Sequence, residues 1–235
     1  MDTFYSRSEA LLGQQTMDVL RSKRVILFGV GGVGSFAAEA LIRTGLTHLI
    51  IVDDDSIQPS NINRQLQATG NTVGRPKVEV LRERLLTINP EAEITALQER
   101  YTPDEAESAG LRSHVSHCDY LIDAIDDVAA KTDLIIRASR VRGLKIYSSM
   151  GAALRFDPTQ VSTGELMSIQ GDALAKAVRA RMKKLDVKPS RKIRCVYSTE
   201  QAKSCESRGS LMQVTAVFGL TLASLVINDI YKQFK

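Results

Sequence analysis

Glycines 29, 31 and 34 of Gly29-Val30-Gly31-Gly32-Val33-Gly34 follow the spacing Gly-x-Gly-x-x-Gly, between an apolar run and a segment of helical period. Glycines so spaced let the backbone turn tightly and approach a phosphate, and the helix that follows presents free N–H groups at its start. Gly32 belongs to the same loop, and Ser35 can add a hydroxyl there or serve as an ordinary helix N-cap. Nineteen residues after Gly34, Asp53 ends a second apolar run, where a carboxylate can bind ribose hydroxyls. These residues describe a nucleotide site. They do not separate a nicotinamide enzyme from one that uses ATP.

The stretch beyond Asp53 does. Asp55, Asn61, Arg64 and Gln65 lie in a polar loop, Lys77 follows Gly74-Arg75-Pro76 at a helix start, and Asp123-Ala124-Ile125-Asp126-Asp127 ends a later apolar run. Hydride transfer needs no cationic clamp. Splitting a triphosphate needs cations on the phosphates and a carboxylate for Mg²⁺, which Arg64, Lys77 and Asp126 can supply.

Such groups must be held at the carboxyl ends of parallel strands. Apolar runs at 24–30, 48–52, 92–98, 119–125 and 145–149 read as buried strands, and helix-period segments at 35–44, 77–88, 103–117 and 128–142 alternate with them. Residues 1–23 read as a helical lead-in. After Gly151 the rhythm changes to short β-like pieces at 153–156 and 160–163, a basic helix at 173–185, a strand at 194–198 and an apolar helix at 212–231. The expected fold is α/β, a Rossmann-like doubly wound and mainly parallel sheet with a C-terminal α+β extension. Residues 1–151 would form the nucleotide-binding domain, with 152–235 packed on it.

Composition narrows the class. The chain has 235 residues, 43% hydrophobic and 25% charged, which excludes a disordered or collagenous protein. Its three cysteines contain no Cys-x-x-Cys pair, so neither a disulfide scaffold nor a zinc ribbon is expected. Cys118 and Cys195 read as buried, and Cys205, in a polar segment, is the best placed for a reactive thiol. With no basic-then-apolar leader, and 214–227 too short to span a bilayer, a soluble cytoplasmic protein with no membrane partner is expected. The net charge of +4 is uneven: residues 176–194 carry +8 and the other 216 sum to −4. Lys176, Arg179, Arg181, Lys183, Lys184, Lys188, Arg191, Lys192 and Arg194 have only Asp186 against them. Such a run suits a polyanion whose phosphates it neutralises, and without interleaved aromatics it reads as a backbone contact.

In order and spacing, Gly-x-Gly-Gly-x-Gly-Ser, Asp-x-Asp, Asn-x-x-Arg-Gln, a Lys after Gly-x-Pro and Asp-Ala-x-Asp resemble the adenylation domain of ubiquitin-activating-enzyme-like proteins, over about 150 residues. The resemblance implies that the glycine loop and Asp53 hold the adenosine end of ATP. Asp55, Asn61, Arg64, Gln65 and Lys77 would line the phosphates, and Asp126 would bind Mg²⁺. Tyr5-Ser6-Arg7, with Gly13 beyond it, resembles the family's N-terminal motif, in which the Arg enters the partner subunit's site; a homodimer is implied.

Asp157-Pro158-Thr159, the basic helix, Val196-Tyr197-Ser198-Thr199-Glu200 and Gly209-Ser210-Leu211-Met212-Gln213-Val214-Thr215 resemble one branch, the tRNA threonylcarbamoyladenosine dehydratases. That resemblance implies ATP-dependent activation of a carboxylate on a modified tRNA adenosine and ring closure with loss of water. A sulfur-relay or cysteine-desulfurase partner is a further implication. Three other readings compete: an adenylyltransferase acting on the C-terminus of a ubiquitin-like sulfur carrier, a non-catalytic nucleotide or tRNA binder, and a nicotinamide dehydrogenase.

Overall fold

The computed structural model describes residues 3–104, 109–204 and 209–235. Five strands form the parallel core: β1 (Arg24–Phe28), β2 (His48–Val52), β3 (Glu93–Leu97), β4 (Tyr120–Asp123) and β5 (Lys145–Ser149). β7 (Arg194–Ser198) joins β5 in parallel, and β6 (Val161–Glu165) closes the edge antiparallel to β7, giving the order β3-β2-β1-β4-β5-β7-β6. The chain winds outward from β1 to β3 on one side and from β4 to β5 on the other. Ligands bind in doubly wound sheets at such a switch point, beyond the carboxyl ends of the strands.

Runs such as Val25-Ile26-Leu27-Phe28 are buried throughout because helices cover both faces. One face carries α2 (Gln14–Ser22), α3 (Gly34–Thr44), α4 (Lys77–Ile88) and α8 (Met212–Tyr231), whose Leu20, Leu41, Leu81 and Phe218 share a core. The other carries α5 (Ala109–Ser116), α6 (Val128–Ser139) and α7 (Ala173–Lys184), with Leu111, Leu134 and Val178 in a second core. α1 (Ser6–Leu12) precedes α2 and buries none of its residues.

Three expectations need correction. Residues 153–156 form a turn, not a β piece, with Leu154 at φ 62, and the expected 160–163 piece is β6. The helix expected over 128–142 stops at Ser139, where Arg140 caps it. α8 is long and apolar enough by composition to cross a bilayer, so length does not settle its role. One stripe of it, Val214, Phe218, Leu222, Val226 and Ile230, lies in the core against α3, while Met212 and Leu220 are exposed. Gly219 allows that approach, since a Cβ there would lie 2.2 Å from the Val33 carbonyl oxygen.

Candidate functional site

β1, β2 and β4 end level, with Phe28 paired to both Val52 and Asp123, so their following residues share one rim. Gly29 turns the chain there at φ +85, and a Cβ on it would lie 2.7 Å from the Ala124 carbonyl oxygen. At Gly34 a Cβ would meet the Gly29 carbonyl oxygen at 1.8 Å, so only glycine closes this loop onto α3. A Cβ on Gly31 would meet the Gln65 amide, Nε2 at 3.7 Å, in ordinary contact and no backbone, so a side-chain donor and not packed chain borders the loop there. The start of α3 behind the loop is where a phosphate chain can be received.

Asp53 secures the loop from beside it. Its carboxylate accepts the Val30 N–H at 2.8 Å and the Asp55 N–H at 3.0 Å. Burial pushes its carboxyl above the usual range, and the Lys77 ammonium pulls against that. Lys77, 6% exposed, sits 2.6 Å from Asp55 Oδ2 and 3.8 Å from Asp53 Oδ1. The Gly74-Arg75-Pro76 turn makes this possible, as Ile57 and Lys77 N–H groups bond to Arg75 and Asp55 carbonyls and lay the start of α4 along 55–57. Oxygens of Asp53, Asp54 and Asp55 gather within 4.8 Å of one another, with the Lys77 ammonium against that cluster.

The remaining predicted residues divide. Arg64 packs on the glycine loop, its Cγ 3.2 Å from a Cβ placed on Gly32, while its Nη1 donates to Ser60 O and Asn63 Oδ1 within its own loop. Gln65 is buried beside Gly31 with Oε1 unpartnered. Asn61, 8% exposed, has a structural duty: its Oδ1 accepts the Gln58 N–H at a short 3₁₀ turn. Ser35 is buried inside the first turn of α3, and its Oγ accepts the Leu66 N–H at 3.3 Å, bracing the 61–67 loop. Asp126 stands exposed between β4 and α6, beside Asp127, which caps α6 through the Ala130 N–H. Arg7 lies elsewhere. α1 meets the body where Tyr5 and Met17 approach Gly45, at the C-terminal end of α3, whereas the glycine loop is at its N-terminal end.

Other groups emerge from the fold alone. Gln67 Nε2 donates to Val30 O at 2.7 Å, leaving its Oε1 buried and unpartnered. Thr215 Oγ1 would lie 3.2 Å from a Cβ on Gly32, and Asn63 Nδ2 holds Ser210 O, so the approach to α8 leans on the loop. Beneath Asp126, Lys131 is fully buried against Asp123 and Ser148. Only the pattern leading into α8 offered a sequence signal for any of these.

The basic segment does not simply border this rim. α7 starts beside it, where Asp172 accepts the Gly151 N–H just past β5, and runs toward the strands' amino ends. Its 12 residues cover ~18 Å at 1.5 Å each. Lys176 is exposed nearest the rim, Lys183, Lys184, Lys188 and Lys192 are exposed farther down, and Arg194 opens β7 with Nη2 on Thr163 Oγ1. Arg179 Nη1 donates to Leu166 O, and Arg181 has a buried, unpartnered Nε. Arg191 departs from expectation. Its guanidinium donates to the carbonyls of Ser139, Leu144 and Val141, which cap the end of α6, so it is a structural residue.

Cys118 and Cys195 are buried, and burial pushes the Cys118 thiol up to about 11 and the Cys195 thiol up further, so neither is a nucleophile at neutral pH. Cys205 lies outside the described residues.

The profile of the ThiF family matches residues 5–233. The tRNA threonylcarbamoyladenosine dehydratase of Bacillus subtilis is 38% identical over 83% of this chain and 74% of its own length. The Escherichia coli enzyme of the same name is 34% identical over 88% and 77%. Its crystal structure in complex with ATP superimposes with a TM-score of 0.89 at 32% identity, over 98% of this chain and 94% of that one. The Escherichia coli sulfur carrier protein ThiS adenylyltransferase is 35% identical over only 53% of the chain.

Proposed function

The chain belongs to the ThiF family, and from that premise we propose that it is an ATP-dependent tRNA threonylcarbamoyladenosine dehydratase. The observation that carries this reading is the sequence match to the dehydratases over 83–88% of the chain, where the ThiS adenylyltransferase matches 53%.

A carboxylate resists nucleophiles because it is anionic and its oxide leaves poorly. In the proposed reaction a carboxylate oxygen of the threonyl group attacks the α-phosphorus of ATP, the bond to the β-phosphate oxygen breaks, and pyrophosphate departs. The carbamoyl group on the same nucleoside then attacks the acyl carbon and expels AMP, closing the ring with net loss of water. Because that nucleophile is already attached, proximity supplies much of the rate and no enzyme thiol is needed. A sulfur-relay or cysteine-desulfurase partner would therefore act outside this ring closure.

The residues fit this chemistry. The glycine loop receives the phosphate chain, with Gln65 beside it. Asp53 faces the ribose, and Lys77 and Arg64 neutralise charge as pyrophosphate leaves. Asp126, exposed at the rim, would hold Mg²⁺, an ion that takes one or two carboxylates together with substrate phosphates. By the resemblance of its N-terminal motif, Arg7 would serve the site of a second copy in a homodimer, since its own helix meets the body at the far end of α3. Residues 1–151 act as the ATP-binding part, and 152–235 carry the tRNA surface, with Lys176, Lys183, Lys184, Lys188 and Lys192 tracking phosphates away from the rim. Cytoplasmic work on tRNA accords with this chemistry.

The deciding experiment measures AMP formation from labelled ATP with tRNA that does or does not carry threonylcarbamoyladenosine. AMP only with modified tRNA, together with loss of one water from the nucleoside, supports the reading. Pyrophosphate exchange driven by a diglycine-ended carrier protein, with modified tRNA inert, would replace it.

A further inference from the structure

On the face of the sheet opposite α3 and α8, residues of α5 and α6 and Tyr101 line a cleft of about 250 Å³. Its floor is apolar, made by Val115, Leu134, Ala138 and Val141, and the Tyr101 ring forms one wall. Arg112 lies over that ring, its Cζ 5.8 Å from the centroid and its Nε buried without a partner. Asp133 ties the wall together, accepting the Tyr101 hydroxyl at 2.8 Å and pairing with Arg112 and Arg137. Burial pushes the Tyr101 phenol up to about 12, so it stays a donor to Asp133 at any working pH. Arg140 closes the mouth, exposed and without a side-chain partner among the described residues.

This cleft is continuous with the basic stripe, although 50 residues separate them in sequence. The Ser190 N–H donates to Ser139 Oγ at 2.9 Å, and Arg191 holds the Ser139, Val141 and Leu144 carbonyls. Those contacts hold Ser190 and Arg191 against the turn after α6, with exposed Lys188 and Lys192 within two residues of them and exposed Arg140 and Arg142 in the contacted turn. Phosphates following the stripe from α7 would reach the mouth of the cleft along this contact.

We infer that the α5–α6 cleft is a second RNA site, which takes one unstacked base of the tRNA while Arg140 receives the adjoining phosphate. It rests on the dehydratase reading for RNA being the substrate. The cavity suits a single flat, mostly apolar group; the Tyr101 ring, 4% exposed, backs the Arg112 guanidinium, and a guanidinium plane is a surface on which bases that have left a stack are received. The arginine-bearing mouth selects a polyanion over a neutral ligand. The site is a docking point that touches neither ATP nor the reacting carboxylate.

The test uses the full chain with two variants. Arg140→Ala removes the phosphate contact on an exposed side chain, and Val141→Trp fills the cleft. Binding of unmodified tRNA is titrated at several salt concentrations, and AMP formation is followed with modified tRNA. Arg140→Ala is expected to weaken binding about fivefold and to lower the slope of log affinity against log salt by about one. Val141→Trp is expected to weaken binding about tenfold with the slope unchanged. In both, the KM for ATP and the kcat at saturating tRNA stay at the wild-type level. If both variants bind tRNA as the wild type does, the cleft proposal is overturned while dehydration stands. If the wild type fails to dehydrate modified tRNA but both variants still lose binding, the dehydratase reading falls and the cleft survives.

Discussion

Lys131 Nζ lies 2.6 Å from Asp123 Oδ2, with both side chains fully buried at the end of β4. The same ammonium donates to Ser149 O, the Ser148 hydroxyl donates to Asp123 Oδ2, and Asp123 Oδ1 accepts the Ile125 N–H. The network therefore fixes the turn from which Asp126 projects. Lys131→Met would strand a buried carboxylate and is expected to cost about 3–5 kcal/mol in urea unfolding. The double variant Lys131→Met, Asp123→Val should regain part of that loss, since the two charges go together. A double variant no more stable than the single one would show that the hydrogen-bonded turn, not the unpaired charge, is what matters.

Arg64 and Lys77 should separate in their effects. Arg64 bonds only within its own partly exposed loop, so Arg64→Ala is expected to abolish pyrophosphate release while thermal unfolding shifts little. Lys77 is buried against Asp53 and Asp55, so Lys77→Ala is expected to lower kcat about 10²–10³-fold and also to destabilise the fold. Pyrophosphate release by an Arg64→Ala protein at the wild-type rate would remove Arg64 from the mechanism.

The strands and the glycine loop were legible because buried parallel strands are written as continuous apolar runs, and because Gly29 and Gly34 stand where any side chain would collide with backbone. Asn61, Ser35 and Arg191 were legible as polar residues but not as to duty. A spacing motif does not reveal that Asn61 meets Gln58, that Ser35 meets Leu66, or that Arg191 meets carbonyls about 50 residues away. Lys131 and Gln67 were missed for the same reason: their partners are set by how β4, β5 and the glycine loop come together. Ala153-Leu154-Arg155-Phe156 resembles a strand because Leu154 and Phe156 are apolar two residues apart on either side of a charge, but Leu154 takes a positive φ and turns the chain.

Gly219 couples α8 to the glycine loop. A Cβ there would press on Val33 O at 2.2 Å and on Phe36 Cβ at 2.9 Å, and Val33 directly precedes the first residue of α3. Since backbone cannot swing aside, Gly219→Ala is expected to cost about 1–3 kcal/mol and to raise the KM for ATP, although Gly219 touches no nucleotide. An unchanged KM for ATP in a destabilised variant would confine the effect to packing.

Glu39 gives a pH-dependent contribution of known sign. Burial raises its carboxyl pKa, but Arg84 at 2.6 Å and Arg43 at 2.8 Å outweigh that and hold it below the usual range. A folded-state pKa below the unfolded one means stability present above the ordinary glutamate range and lost as pH falls through it. The group is partly exposed, so the contribution is about 1 kcal/mol or less. Glu39→Gln should therefore be less stable than wild type at pH 7, and in parallel thermal melts the gap should narrow below the ordinary glutamate range and close as pH falls through the lowered folded-state value. A gap independent of pH would assign the loss to packing of α3 on α4.

Arg191 and Lys184 carry the same formal charge but should part company. Arg191 caps the end of α6 with three donors, so Arg191→Ala leaves the Ser139, Val141 and Leu144 carbonyls without these bonds and is expected to cost about 1–3 kcal/mol. Lys184 is exposed on the last turn of α7, and Lys184→Ala should change stability by no more than about 0.5 kcal/mol. For tRNA the order reverses. Each phosphate released from a lysine lowers the slope of log affinity against log salt by about one, so Lys184→Ala should flatten that slope and Arg191→Ala should leave it near wild type. Titrations at three salt concentrations with both variants folded make the distinction. A slope flattened by Arg191→Ala and untouched by Lys184→Ala would place the RNA against the end of α6 rather than along α7.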